Sequence, residues 1–288
     1  MSAVTTPEVA AVRVPERSWR SEQRAVRIVW YRELIRFTSD RAGMVSWLIQ
    51  PLLFLFVLGT GLESLASGST GGVGLTTFIF PGMLCFAVVF TAMFSAITLV
   101  MDREFGFLRE MLIAPVSRSS IILGKALGGA TVAASQGVVV LALAGLVDVP
   151  YDPVLMLGLL GMLLLLAFTV TAFGLVVATR IKQIRTFTSI MQMAVMPMVF
   201  LSGAMFPVSN LPTWLELLNR LNPLTYAVDP MRRLVFDHLD VSASASATLD
   251  TGVTWFGWVL PVWFEVAMIA LLGAVMMAIA IRQFARSE

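Results

Sequence analysis

The sequence predicts an all-α polytopic membrane protein with six transmembrane helices and both termini in the cytoplasm. Three observations carry that prediction. Of 288 residues, 58% are apolar and only 13% charged, with mean hydropathy +0.85; soluble domains are about half apolar and about a quarter charged. Six stretches are long and apolar enough to cross about 30 Å of hydrocarbon as helices. The basic residues crowd onto alternate connections between those stretches.

In chain order, residues 1–20 are polar and basic and read as a flexible cytoplasmic N-terminus. They show neither the early apolar core of a signal peptide nor a lipidation motif. Residues 21–41 predict a basic interfacial helix, with Val26, Trp30, Leu34 and Phe37 on one arc and Ile28 and Ile35 interrupting the polar face. The six-span domain covers residues 42–281. Its spans are Ala42–Leu62, Thr76–Met101, Ser119–Val147, Val154–Thr179, Phe187–Phe206 and Phe256–Ile281. Each is read as a helix because lipid offers no partner to open backbone groups, and each is apolar all round. The short alternating segments of a β-barrel do not occur. Residues 282–288 form the cytoplasmic C-terminus.

Orientation follows from eight arginines between Arg13 and Arg41, from Arg103, Arg109, Arg118 and Lys125, from Arg180, Lys182 and Arg185, and from Arg282 and Arg286. The other side carries Arg220, Arg232 and Arg233. Trp47, Trp255, Trp258 and Trp263 lie near span ends, as in an aromatic belt. The single cysteine, Cys85, lies in an apolar run and reads as core filling; the single histidine, His238, reads as a surface residue. No metal-ligand cluster and no nucleophile–base pair is present, so no catalytic residue is assigned. "GKALGG" lacks the Gly-rich run and the Ser or Thr of a phosphate-binding loop. The arginines lack the aromatic interleaving of a nucleic-acid reader, and anionic lipid explains them.

Two stretches stand out. The first, "MDREFGFLREMLIAPVSRS" (Met101–Ser119), is a charged island between apolar runs. Asp102, Arg103, Gly106, Arg109 and Glu110 recur at helical spacing, as do Phe105, Leu108 and Leu112. The pattern predicts a short helix over 102–114 with Asp102 as N-cap, an Arg103–Glu110 pair along its polar side and Pro115 as its stop. It either floats on headgroups or meets a partner. The second, Phe200–Phe236, is cut by Pro207, Pro212, Pro223 and Pro230. It predicts two short external helices, Thr213–Leu221 and Leu224–Phe236, either re-entrant over a translocation path or lying on the surface. Residues 237–255 follow as an external linker, rich in Ser, Ala and Thr from 240.

These stretches resemble the permease subunits of ABC-2-type exporters, in particular the bacterial drug-resistance permeases of daunorubicin type. The resemblance covers essentially the whole chain. It is carried by Phe80-Pro81-Gly82 at the head of span two, by Asp102-Arg103-Glu104-x-Gly106-x-Leu108 through Pro115-Val116-Ser117-Arg118 and Gly124-Lys125, and by Gly203, Phe206-Pro207, Leu211-Pro212, Asn222-Pro223, Tyr226 and Arg232. Phe107, Arg109 and Ala114 depart from the commonest pattern, which leaves the identity of the partner open.

The resemblance implies a half-transporter that pairs with a second copy or a related permease and with two cytoplasmic ATP-binding subunits. ATP and Mg would be held by those subunits, with no cofactor in this chain. It implies that Asp102–Ala114 is the coupling helix, with Asp102, Arg103, Glu104, Phe105, Gly106, Leu108, Arg109, Glu110 and Pro115 at the ATPase contact. It further implies a substrate cavity lined by spans two and five, which here offer Phe90, Phe94, Met191, Met193, Met196 and Phe200. Glu265 is the main embedded acid, a functional-site hypothesis by its position. It lies within a turn or two of Trp258 and Trp263, close enough to reach the outer interface. Gly124 and Gly128 form a small-xxx-small pair for close helix packing.

Three functions compete. One is an ATP-driven exporter subunit in the cell membrane, moving a drug-like or lipid-like amphiphile outward. The second is an ion- or proton-coupled carrier centred on Glu265. The third is a non-transporting scaffold. The exporter alone accounts for both the cytoplasmic island and the external segment.

Overall fold

The structure is a computed structural model that describes residues 18–61, 74–113, 116–205, 212–239, 252–255 and 258–287. Residues 1–17, Pro115, Phe206, Pro207, Leu211 and most of the 237–255 linker, all named above, lie outside the described residues. Among the described residues helices dominate, and five are long and apolar enough to cross a membrane.

Helix α1 (Trp19–Ser39) starts at Ser18, which exchanges capping bonds with Ser21. It buries Ala25, Val29 and Glu33, a stripe one position off the predicted arc. Asp40 accepts from the Gly43 amide at 2.9 Å and starts α2 (Arg41–Gly61). Pro51 removes one rung of that helix, and the backbone widens to π geometry over Phe54–Leu58. Helix α3 (Leu75–Ser95) is the centre of the bundle and is buried along most of its length. Beyond Ala96 it runs on as α4 (Ile97–Glu104). Then Gly106, at φ +83°, turns the chain into α5 (Phe107–Ile113).

Helix α6 (Arg118–Leu141) is capped by Ser117. The predicted third span is therefore shorter than Ser119–Val147, and its last residues, Ala144–Val147, form a 3-10 turn. Helix α7 (Pro153–Ala178) opens with proline at its first position and Asp152 accepting from Val154 and Leu155. Helix α8 (Ile184–Phe200) replaces the predicted Phe187–Phe206. At 17 residues it reaches about 26 Å, the short end of what a span needs.

Helices α9 (Thr213–Leu221) and α10 (Thr225–Phe236) match the predicted short pair. A two-stranded ribbon follows, β1 (Thr254–Trp255) against β2 (Trp258–Val259), where the sequence had suggested the linker's end and the start of span six. That span begins later, as α11 (Val262–Ser287), and runs through the predicted C-terminal tail.

Helices α3, α6 and α7 form the core, and α11 packs on α7. Helices α2 and α8 border α3 and leave their outer faces exposed. The small-residue pair on α6 serves α1. A Cβ at Gly124 would strike Val29, and one at Gly128 would strike the Glu33 stem.

Candidate functional site

The basic end of the bundle is organised around buried charge. Lys125, on α6, points its ammonium between α1 and α4. It lies 2.7 Å from Asp102 Oδ2 and 2.8 Å from Glu33 Oε1, and donates to Thr98 Oγ1 at 3.2 Å. All three N–H donors are therefore used. Arg32 donates to Asp102 at 2.6 Å and Arg36 lies 3.5 Å away. Both arginines are half-exposed, whereas Lys125 and Asp102 are shut off from solvent. A buried charge persists only where it is paired and hydrogen-bonded. Three elements that are separate in sequence thus close on one polar knot.

This corrects the expectation for Asp102. It is not the N-cap of an exposed helix. It sits inside α4, at the end of the apolar run Ile97–Met101, and it is the buried anion that receives Lys125 and two arginines of α1. Arg103 is likewise drawn inward, donating to the carbonyls of Ala178 and Ile181 at 3.1 and 2.8 Å. Glu104 accepts from the Ile184 amide at 2.8 Å, so a carboxylate of the island holds the first turn of α8, where a negative charge suits the helix dipole. Glu22 of α1 accepts from the Ser117 amide at 3.1 Å and from the Ser120 hydroxyl at 2.5 Å.

The predicted helix over 102–114 is thus two helices with Gly106 between them. Leu108 is buried, but Phe105 is not its partner on an apolar stripe. Phe105, Phe107 and Ile113 are 61%, 52% and 83% exposed. Glu110 is also exposed, and Arg109 belongs to the same helix, α5.

At the far end, the predicted motif residues meet one another. Gly203 is at φ +74°, and its carbonyl accepts from Arg232 at 2.5 Å. The Arg232 guanidinium lies 4.2 Å from the centre of the Phe78 ring. A Cβ on Gly82 would land on the Ala204 carbonyl, so the Phe80-Pro81-Gly82 segment lies inside α3 to admit that turn. Asn222 donates to Met198 O at 2.5 Å and accepts from the Leu224 amide at 3.1 Å. This ties the break before Pro223 to the end of α8. Tyr226 donates to Arg220 O at 2.6 Å and accepts from Trp255 Nε1 at 3.0 Å. Pro212 directly precedes α9.

The proposed cavity residues separate. Phe90 and Phe94 stack with Trp47 of α2, at centroid distances of 5.4 and 4.9 Å. Met191 is fully buried, in a stripe with Phe187, Val195 and Val199. Met193, Met196 and Phe200 lie on the exposed face of α8. Glu265 does not reach an outer interface. It is fully buried in the first turn of α11, 3.9 Å from Arg233. That arginine also binds Asp229 at 2.5 Å and Leu260 O at 2.8 Å, so α10, the ribbon's end and α11 share one clasp. Sequence reasoning missed both Asp229 and Glu33. Glu33 had a signal: it is an acid on the α1 face that carries Val29. Cys85 packs against Met231, 3.5 Å between sulfurs, and His238 bonds Leu234 O at 2.9 Å.

Comparison with known proteins places these features in context. The profile of the family described as "ABC-2 type transporter" matches residues 24–236. A transport permease, ycf38, of Cyanophora paradoxa is 29% identical over 206 residues, 70% of this chain and 71% of its own. Nodulation protein J of Rhizobium leguminosarum bv. trifolii is 32% identical over 216 residues, 73% of this chain and 80% of its own. The ycf38 permease of Pyropia yezoensis is 33% identical over 199 residues, 67% of each chain.

Proposed function

Because this chain belongs to the ABC-2 type transporter family, we propose that it is the membrane subunit of an ATP-driven exporter that moves a drug-like or lipid-like amphiphile out of the cell by alternating access. Two permeases, two copies of this chain or this chain with a relative, would pair with two ATP-binding subunits that hold ATP and Mg. The basic end faces the cytoplasm of a cell-membrane protein, and α9 and α10 cover the outer end of the path as re-entrant helices.

One observation supports this reading above the others: the exposed apolar trio Phe105, Phe107 and Ile113 on an island whose Asp102 and Arg103 are turned inward. A helix floating on headgroups would submerge those side chains. Their exposure in a cluster suits a protein groove. The island is also built to transmit. Helix α4 continues α3, Arg103 holds the end of α7, and Glu104 holds the start of α8. A push on Phe105 or Phe107 would therefore reach three spans together, with α1 carried along through Lys125. On the exposed face of α8, Met193, Met196 and Phe200 would face the path between two paired permeases, where methionine and phenylalanine make adaptable walls.

The test is a mild-detergent pull-down of the chain with mass spectrometry, repeated on Glu104→Arg. Wild type should bring a near-stoichiometric ATP-binding subunit. The variant places a cation at the N-terminus of α8 and should insert normally while losing ATP-driven transport. Unchanged transport in Glu104→Arg would refute the coupling role. A wild-type chain that purifies alone and active would favour the carrier.

A further inference from the structure

Between the ends of α7 and α11 lies a recess of about 400 Å³ lined by Thr179, Arg180, Ile279, Arg282, Gln283 and Arg286. Its floor is neutral: the Thr179 hydroxyl donates to Gln283 Oε1 at 2.7 Å and pins the two helices together. Three arginines, one from the turn after α7 and two from α11, converge above that floor, and among the described residues no carboxylate lines the recess. Among the described residues, none of the three guanidiniums makes an ion pair or a hydrogen bond. The nearby Arg118 is different, since it donates to the Ala285 carbonyl at 2.8 Å.

The need for basic residues at this end does not account for the arrangement. Scattered arginines meet that need, and α1 supplies several. Three like charges gathered in one concavity repel one another unless an anion joins them. Guanidiniums have the fork geometry that phosphate oxygens accept. A second feature extends the recess. Ile279 continues downward as Val275 and Leu271, four residues apart on the same helix and exposed. An apolar stripe therefore leads from the arginines along the bundle wall.

We propose that this recess is a binding site for one anionic phospholipid, its phosphate held by Arg180, Arg282 and Arg286 and one acyl chain laid along Ile279, Val275 and Leu271. Basic pockets between membrane helices take such headgroups. The site clamps α7 to α11 at the end opposite the Arg233 clasp.

Native mass spectrometry of the full chain in mild detergent tests the assignment, with phosphatidylglycerol and phosphatidylcholine of matched chains as probes. Wild type should retain one phosphatidylglycerol and release phosphatidylcholine. R180Q/R282Q/R286Q should lose roughly a hundredfold in phosphatidylglycerol affinity, about fivefold per arginine. The equally discharged R20Q/R24Q/R27Q, with its changes on exposed positions of α1, should bind as wild type does. V275S/I279S alters no charge and should lose roughly tenfold through the tail contact, which keeps a test in hand if the triple variant fails to fold. Equal loss in both arginine variants would reduce the site to generic surface charge and overturn the proposal. Equal binding of phosphatidylcholine would overturn it too. Displacement of the lipid by millimolar inorganic phosphate would make the occupant a soluble anion rather than a lipid. If wild type binds no anionic lipid while R180Q/R282Q/R286Q sheds a co-purified protein, the recess is a protein contact.

Discussion

Replacing Lys125 with methionine keeps the length of the side chain and removes one charge from the knot at the basic end. The cost falls unevenly on its partners. Asp102 keeps Arg32 at 2.6 Å and Arg36 at 3.5 Å, and those half-exposed arginines also reach water. Glu33 loses its nearest cation and is left with Arg32 at 3.6 Å. Breaking a buried pair from one side costs about 3 kcal/mol, while the Arg32 contact returns less than about 1 kcal/mol because it is screened. Glu33 rides on α1, so the strain is relieved when α1 lifts from α6, without unfolding the bundle. At about 1.4 kcal/mol per decade, amide exchange in α1 should accelerate roughly a hundredfold. The assay is hydrogen–deuterium exchange followed by peptide mass spectrometry on the purified chain. In E33Q/K125M the pair disappears together, and exchange should return to within about tenfold of wild type. Unchanged α1 exchange in K125M would refute the reasoning, as would acceleration spread evenly over all helices.

Two further substitutions probe the far end. Gly82→Ala sets a methyl against the Ala204 carbonyl, with backbone on both sides. It should cost about 1–3 kcal/mol and lower the melting temperature, whereas Gly61→Ala, which meets nothing within 4 Å, should leave it unchanged. Asn222→Ala strands the Leu224 amide and the Met198 carbonyl in a buried place, at about 1–3 kcal/mol. Limited proteolysis between α9 and α10 should quicken by roughly tenfold, and an unchanged rate would mean that other contacts hold that break.

Punctuation decided which parts of the fold were legible. Prolines and caps bracket α7, α9 and α10, and there the predicted and observed bounds agree to within one residue. The start of α11 was misplaced by six residues, because Trp255, Phe256 and Trp258 add hydrophobicity to a window whose backbone turns back as a ribbon. The island was misread for a different reason. Asp-Arg-Glu after an apolar run is the local signature of a new helix. Here Asp102 is an interior residue whose charge is answered by Arg32, 70 positions away, and by Lys125. No window of neighbouring residues contains that pairing. The cavity residues divide by phase: Met191 and Met193 are two positions apart and so lie on opposing faces of α8, one in the core and one outside. The motif residues Gly203, Asn222, Tyr226 and Arg232 were identifiable as types. What they do together, Arg232 holding the Gly203 turn beside α3, Asn222 tying the break to α8 and Tyr226 joining α9 to the ribbon, required three-dimensional proximity.

The Glu33–Lys125 contact spans 92 residues, and that distance sets an order on biogenesis. A ribosome adding about 5–20 residues per second makes Glu33 about 5–20 s before it makes Lys125. Throughout that interval α1 has been synthesised but has nowhere to dock, because its seat is the glycine face of a helix not yet translated. Lys125 in turn enters an apolar helix as a lone ammonium and becomes acceptable there only when the waiting carboxylates reach it. Helix α1 is therefore made well before it can settle. A nascent chain truncated before Lys125 should carry its amphipathic leader free.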